Sequence, residues 1–343
     1  MAGTALRGVG LGWRPPLAGD LLRAPATVDF VEVVAETALG SRQREREVAA
    51  LSEIWPVAVH GVKLSLGSAS GLDADRARAL GRIARVVRAP VISEHVAFVR
   101  AGGREIGHLT ALPRTQAAVR TVARNVAAAR RFLPDVPLLL ENAACTVPWA
   151  DDQMSEGDFY AAIADATGCE LLLDVANLYA NALNDGRDPR RALADFPVER
   201  AAMLHVAGGA FRDGFYVDTH AHPVSATVTE LVALAVRRTG PVPILLERDD
   251  HFPPFAELTA ELTQLCHTLA ATSAARTATA VAMRSPAAKS NVTSGDRALG
   301  AAQTRLAEVL TAESLTDLDG FPAAAIAHAR AILARKRFKE GAP

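Results

Sequence analysis

Two histidines and an aspartate in the second half of the chain have the residue types and spacing of metal ligands. Asp218 and His220 stand two residues apart, so on an extended segment their side chains leave the same face and can bind one cation. A third candidate, His205, ends an apolar run at residues 201–204. The competing interpretation is a polar loop with surface histidines. Metal chemistry requires further ligands from elsewhere in the chain.

The elements that must position such ligands follow a regular pattern. Short runs rich in β-branched residues or leucine recur, each followed by turn residues and then by an alanine- and arginine-rich helical pattern. The eight runs lie at residues 8–12, 28–36, 56–62, 90–98, 137–144, 169–179, 201–209 and 241–250. Helical spacing of apolar residues is clearest at residues 73–88, 114–132, 156–167 and 227–239.

This alternation predicts an α/β protein of the TIM type, a (β/α)8 barrel of parallel strands inside a ring of helices. Residues 1–271 fit the usual length of such a barrel, about 250 residues. The alternative is an open doubly wound sheet, whose phosphate-binding glycine motif is expected after the first strand. The segment GVGLG at residues 8–12 has the wrong spacing for that motif and runs into Trp13.

The composition changes after the predicted barrel. Residues 272–295 are rich in alanine, serine and threonine, as in a flexible linker, and residues 296–343 are predicted to form a helical extension. Asp296 can cap the first helix of this extension, and Pro322 starts the second. Two short helices bury little surface alone, so we expect them to pack on the barrel or on a partner.

Charge and cysteine content restrict the class of protein. The 37 basic and 38 acidic residues give a net charge of −1, which argues against a general attraction to nucleic acid or to an anionic membrane. No uncharged run is long enough to span a bilayer, and the N-terminal residues lack the pattern of a signal peptide. The cysteines are three and scattered, which fits a reducing compartment. We therefore expect a cytoplasmic protein.

Metal-capable side chains stand at the ends of six consecutive predicted strands or just after them. In TIM-type barrels the chemistry lies at the C-terminal ends of the strands. The eight candidates are His60, His95, Glu141, Asp174, His205, Asp218, His220 and Glu247. Taken singly, each histidine could be a core residue and each glutamate a salt-bridge partner, for example Glu247 with Arg248.

Taken together, the eight candidates favour shared cations. Burying several carboxylates and imidazoles in one place is costly unless cations neutralise them. Eight ligands are too many for one tetrahedral ion, but they suit two or three six-coordinate ions that share bridging carboxylates. Nitrogen and oxygen ligands without cysteine are compatible with iron, manganese or zinc, and the residues alone do not select among these metals.

The residues around the candidates form an ordered series of motifs. They include HGV at 60–62, SEH at 93–95, LEN at 140–142, LLD at 172–174 with Asn177, DTH at 218–220 and ERD at 247–249. Over about residues 5–265 this series resembles the multinuclear non-heme iron-dependent oxidative enzymes, the family of the methanobactin-biosynthesis oxidase. The resemblance implies two or three irons, dioxygen as co-substrate, and oxidative modification of residues, often cysteines, in a ribosomally made precursor peptide.

The resemblance also implies roles for individual residues. It makes the eight candidates the iron ligands, with Glu141 or Glu247 as bridges, and it places Asn142 and Asn177 in the site as substrate-binding residues or further ligands. It further implies a separate partner protein that presents the peptide. The chain departs from the family pattern at Lys63, Ala176 and Gly209, none of which is a proposed ligand.

Two other classes of function stay open at this point. A metal-dependent hydrolase or isomerase on the same barrel, like the trinuclear zinc endonucleases or the sugar isomerases, would use similar carboxylates and histidines. A non-catalytic binding module with a remnant metal site is the third class, which the presence of all the proposed ligands disfavours.

Overall fold

The computed structural model describes residues 6–273, 294–312 and 320–340. Its strands in chain order are β1 (Val9–Gly12), β2 (Phe30–Val34), β3 (Val57–Gly61), β4 (Ile92–His95), β5 (Ala97–Ala101), β6 (Arg104–Ala111), β7 (Leu138–Glu141), β8 (Leu171–Asp174), β9 (Ala201–Val206), β10 (Gly208–Arg212), β11 (Phe215–His222) and β12 (Ile244–Leu246). Eight of these strands close into a parallel barrel in the order β1-β12-β9-β8-β7-β4-β3-β2.

Helices alternate with the barrel strands. In the described residues they are α1 (Pro15–Arg23), α2 (Ala35–Ala38), α3 (Arg42–Leu51), α4 (Ala74–Val86), α5 (Gln116–Arg130), α6 (Glu156–Thr167), α7 (Val175–Asn184), α8 (Pro189–Asp195), α9 (Ala226–Thr239), α10 (Phe255–Ser273), α11 (Ser294–Thr311) and α12 (Ala323–Glu340). Short 3₁₀ turns occupy residues 25–27 and 198–200. The predicted TIM-type barrel is confirmed.

Each of the eight predicted runs contains a barrel strand, but several runs extended too far. The strand predicted at residues 28–36 ends at Val34, and the one predicted at 169–179 ends at Asp174, because a helix begins at the next residue in both cases. Asp174 stops its strand by capping α7, where its side chain accepts a hydrogen bond from the backbone N–H of Asn177. Apolar runs alone do not mark such a boundary.

The barrel interior alternates with period two along each strand. A small cluster of buried apolar residues fills the inside and includes Ala58, Leu139 and Leu172. The residue two positions further along faces the same way and is a predicted ligand in each of these strands. The apolar residues therefore form a floor, and the polar residues form the layer above it at the C-terminal end.

Two antiparallel hairpins interrupt the regular alternation at this end of the barrel. The β5–β6 hairpin follows β4, and the β10–β11 hairpin follows β9. The second turns at Asp213 and Gly214, which have φ values of 51° and 85°. Positive φ at both central residues is the geometry of the turns that match the twist of a hairpin, and an Asp-Gly pair is suited to it.

The appended helices pack against the barrel domain, as expected from their apolar faces. α11 lies on α5 and on the β5–β6 hairpin, with Leu299, Leu306 and Leu310 buried. The predicted linker at 272–295 falls almost wholly outside the described residues, so the division at 271 and 295 stays a prediction. Among the described helices, none combines the length and the apolar character that crossing a membrane requires.

Candidate metal centre

The eight predicted ligands lie together at the C-terminal end of the barrel. They form three overlapping groups, and within each group one ligand atom per residue lies within 4.8 Å of the others. The groups are His60, His95 and Glu141; Glu141, Asp174, His205 and Glu247; and Asp174, Asp218 and His220. Glu141 and Asp174 each belong to two groups, which is the arrangement expected of bridging carboxylates.

Glu141 lies at the centre of the most buried part of the site. Its Oε2 is 3.4 Å from Nε2 of His60 and 3.3 Å from Nε2 of His95. Its Oε1 is 3.2 Å from Nδ1 of His205. One carboxylate thus faces three imidazoles with both oxygens, because β3, β4, β7 and β9 direct these side chains into the same layer.

The β10–β11 hairpin brings the remaining ligands to the edge of this layer. His220 Nε2 is 2.8 Å from Oδ2 of Asp218 and 3.8 Å from Oε2 of Glu247. Glu247 in turn lies 3.4 Å from Nδ1 of His205. The His220 side chain is 22% exposed, whereas that of His205 is 0% exposed, so the centre is accessible from the hairpin side.

Three histidines have their second ring nitrogen held by a neighbouring side chain. Ser93 Oγ is 2.8 Å from His60 Nδ1, and Glu32 Oε2 is 3.1 Å from His205 Nε2. Asp249 Oδ2 is 3.1 Å from His220 Nδ1. Such partners fix the orientation of an imidazole and leave its other nitrogen for a metal.

His220 is also held through its backbone. It has a φ of 51°, in the left-handed region that side chains with a Cβ rarely adopt. Its carbonyl accepts a hydrogen bond of 2.8 Å from the backbone N–H of Asp249. Strain of this kind is retained only where surrounding contacts impose it, and it is common at functional sites.

The two asparagines are engaged with Asp174. Asn142 accepts from the backbone N–H of Asp174 at 2.8 Å and donates to its carbonyl at 2.9 Å. The Asn177 amide donates to Asp174 Oδ2 at 3.0 Å and to the Asn142 carbonyl at 3.1 Å. Both amides therefore orient Asp174. Asn142 is completely buried, and its amide oxygen and nitrogen both bind the backbone of Asp174.

Charges within the layer set the protonation of its groups. Burial raises the pKa of Glu141, but His95, His205 and His60 outweigh that effect and bring this pKa to about 2. Burial lowers the pKa of His95 to about 4, although nearby carboxylates oppose it. Glu141 is thus an anion and His95 a neutral imidazole at neutral pH, which are the forms that bind metals.

The acidic groups at the opposite edge repel one another. Burial raises the pKa of Asp174 well above its usual value, and the neighbouring charges of Asp218 and Glu141 raise it further. Cations among these carboxylates would remove that repulsion.

Several buried polar atoms in the layer have no hydrogen-bond partner among the described residues, as expected if these atoms are ligands of a metal. Within the part of the chain that the structure describes, no hydrogen-bond partner meets Oε2 of Glu141, Nδ1 of His95, Nδ1 of His205 or Oδ1 of Asp218. A buried polar atom left in this state costs about 1–3 kcal/mol. Oxygen and nitrogen donors arranged this way fit iron, manganese or zinc.

The salt-bridge alternative for Glu247 is not what the structure shows. Arg248 donates from Nη2 to Oε1 of Glu261 at 2.8 Å, on the outer side of the strand end. Glu247 instead lies within 4 Å of two imidazoles of the layer, those of His205 and His220.

Sequence reasoning missed the residues that orient the histidines. Ser93 and Asp249 lie inside the SEH and ERD motifs named above, but their contacts with histidines were not predicted. The available signal for Glu32 was its position on the inward face of β2, two residues after Phe30.

Comparison with known proteins identifies relatives of the barrel. The family model for the RiPP precursor modification enzymes MbnB/TglH/ChrH matches residues 8–270. A UPF0276 protein of Streptomyces avermitilis is 43% identical over 269 residues, which cover 76% of this chain and 55% of the relative. The chain thus spans about half the length of that relative.

A UPF0276 protein of Caulobacter vibrioides is 40% identical over 257 residues, which cover 74% of this chain and 91% of the relative. Among solved structures, endonuclease IV from Thermus thermophilus aligns with a TM-score of 0.49 and 17% identity, over 79% of this chain and 100% of that chain.

Proposed function

Because the chain belongs to the MbnB/TglH/ChrH family of RiPP precursor modification enzymes, we propose that it is a multinuclear iron-dependent oxidase. Its substrate would be a ribosomally synthesised precursor peptide, with cysteine as the first candidate for the modified residue and dioxygen as co-substrate. The observation that supports this proposal is the set of three overlapping histidine and carboxylate groups joined by Glu141 and Asp174.

In this proposal the three groups would supply three positions for iron. His60, His95 and Glu141 would hold the first, Glu141 with Asp174, His205 and Glu247 the second, and Asp174, Asp218 and His220 the third. Bound irons would supply the electron transfer that dioxygen activation and substrate oxidation require. Either two or three irons are compatible with this ligand set.

The protein's own residues would hold and shield this centre. Glu141 and Asp174 hold neighbouring positions together, and Ser93, Glu32 and Asp249 keep the imidazoles in one orientation. The first position is the more deeply buried one, since the residues of its group are no more than 7% exposed. The peptide side chain would therefore approach from the His220 side.

The proposal extends to location and partners. All three cysteines are free, as expected in the cytoplasm. A separate protein that presents the peptide remains part of the proposal. A metal-dependent hydrolase or isomerase is the rival function, because zinc accepts the same donors.

Metal analysis of protein purified without oxygen tests the proposal. We expect two or more irons per chain and a visible absorption band that changes when air is admitted. Zinc alone at stoichiometric level would overturn the oxidase in favour of the hydrolase. If iron is found, incubation with a cysteine-bearing precursor peptide and air should change the peptide's mass, and no change under argon is the control.

A further inference from the structure

The appended helix α11 is attached at the same end of the barrel as the candidate metal centre. Its Gln303 is completely buried, donates from Nε2 to the carbonyl of Gly67 at 2.7 Å and accepts from the backbone N–H of Ala69 at 2.9 Å. Asp296 pairs with Arg120 of α5 at 3.1 Å. The loop that α11 binds follows β3, the strand that carries His60.

The second appended helix, α12, together with Phe321 just before it, touches three further connections at this end. Phe321 packs edge-on against Trp149, with ring centroids 5.6 Å apart, in the connection after β7. His328 stacks on Phe215, with centroids 4.8 Å apart and ring planes 24° apart, in the hairpin after β9. The helix also packs on β6, in the hairpin after β4. α12 therefore links loops that belong to different barrel strands.

The contact with Phe215 concerns the hairpin that carries two candidate ligands. Phe215 begins β11, and Asp218 and His220 follow on the same strand. β10 and β11 form a two-stranded sheet separate from the barrel, and such a hairpin is only marginally stable by itself. The hairpin therefore depends on packing to keep its ligands in place.

Support for the hairpin comes from two sides. On one side Asn184 of α7 accepts from the N–H of Tyr216 at 2.8 Å and donates to its carbonyl at 2.9 Å. On the other side the His328 ring covers Phe215, next to the turn at Asp213 and Gly214. His328 itself is only 5% exposed, so its ring is enclosed by packing and not free to leave.

We propose that His328 is a positioning residue, which fixes the tip of the β10–β11 hairpin so that Asp218 and His220 reach Asp174. The family match ends at residue 270, before α11 and α12, so this contact belongs to the C-terminal segment of this chain. The stacking of the two rings carries the effect. It requires neither iron nor oxidase activity, and it stands whichever metal the centre holds.

Hydrogen exchange of the full-length protein tests the proposal directly. With His328→Ala, the amides of residues 208–222 should exchange about threefold to tenfold faster, the range expected for loss of an aromatic pair. His328→Phe keeps a stacking ring and should restore protection. His267→Ala is the matched control, since His267 is an exposed histidine on α10. Unchanged exchange in 208–222 with His328→Ala would overturn the proposal, even if α12 itself exchanged faster.

The ring contact between Phe215 and His328 can also be removed by substituting Phe215 on the hairpin. Phe215→Ala should accelerate exchange of residues 208–222 to a similar extent. The double variant Phe215→Ala with His328→Ala should exchange more slowly than the combined effects of the two single variants would give, because both variants remove the same ring contact. Additive effects would show that the two rings act separately and would overturn the proposal.

Iron binding distinguishes positioning from general stabilisation. Anaerobic loading with iron(II) alone should give fewer irons per chain for His328→Ala than for wild type, with His328→Phe and His267→Ala unchanged. A lower melting temperature with full iron content would instead indicate a merely structural role. If the wild-type protein binds no iron, the proposed function fails, while the exchange experiments and the same loading test with zinc(II) still decide the role of His328.

Discussion

Two buried carboxylates at the site end of the barrel, Glu141 and Glu156, differ in how their oxygens are satisfied. Glu156 accepts from Nδ2 of Asn181 at 2.8 Å and from Nη2 of Arg187 at 3.4 Å. Glu141 faces three imidazoles, and its Oε2 has no hydrogen-bond partner among the described residues. Burial of a carboxylate therefore does not by itself indicate a metal ligand. What distinguishes Glu141 is an unsatisfied oxygen that lies among several imidazoles.

The pKa values of the two carboxyl groups are shifted in opposite directions. Burial raises the pKa of Glu156, and the hydrogen bond from Asn181 and the charge of Arg187 only partly offset it. At Glu141 the imidazoles more than offset burial and bring the pKa to about 2. One carboxylate is thus stabilised by donors the chain supplies, and the other by groups that themselves bind metals.

Replacing each of the two glutamates by glutamine should produce the largest difference between them. Glu141→Gln should weaken metal binding by more than about a hundredfold, because it removes the carboxylate that two groups share. This loss should exceed the loss caused by substituting a residue that only orients a ligand. Glu156→Gln should leave metal content unchanged. Metal per chain after anaerobic loading is the measurement, with circular dichroism to confirm folding. Equal losses from the two variants would show that burial alone decides metal content.

Substitutions at the edge of the candidate metal centre should reduce metal content less than substitution of Glu141 does. His220→Ala removes a ligand of the third group only, so we expect loss of one metal position with the barrel still folded. Glu247→Ala should also reduce metal content, because Glu247 lies within reach of two imidazoles. His222→Ala is the matched control, as this histidine of the same strand binds Thr219 and belongs to none of the three groups. Full metal content in His220→Ala would refute the ligand assignment.

Substitutions of the residues that orient the candidate ligands should reduce metal affinity by a still smaller factor. Asp249→Asn weakens the partner of His220 Nδ1 without removing a ligand, so affinity at the third position should fall about tenfold to a hundredfold. Asp250→Asn, the same change one residue on, should leave affinity unaffected. Titration with iron(II) under argon measures the difference. Equal affinities for Asp249→Asn and wild type would show that backbone contacts alone fix His220.

The strand ends that carry the ligands could be predicted from sequence because two local rules suffice. Apolar runs bounded by turn residues locate the strands, and period two places Glu141 on the same inward face as Leu139. The strand order of a closed barrel then brings those ends together without further information. Strand length was less predictable where a helix starts at once, as after Asp174.

The orienting contacts could not be predicted because they join distant parts of the chain. Glu32 and His205 are 173 residues apart and meet only because β2 and β9 both direct these side chains into the interior of the closed barrel. The stack of His328 on Phe215 depends on where the appended helices dock, which apolar spacing does not specify. The same holds for the amide of Asn142, which binds the backbone of Asp174 on the next strand, 32 residues further along the chain.

The smallest expected effect is the contribution of Glu156 to the free energy of unfolding and the change of this contribution with pH. The folded-state pKa of Glu156 is raised, so the unfolded chain ionises first and the folded state loses stability as pH rises from about 4.5 towards the folded value. Glu156→Gln removes this loss while keeping an acceptor for Asn181. The variant should therefore gain stability relative to wild type as the pH is raised from about 4 to 7.

Denaturant unfolding of both proteins at the two pH values measures this change. Glu156→Ala, which leaves Asn181 and Arg187 without their acceptor, should instead lose about 1–3 kcal/mol at both pH values. A pH-independent difference between Glu156→Gln and wild type would mean that Glu156 is as well solvated when folded as when unfolded. The contrast with Glu141 would then rest on the unsatisfied oxygen alone.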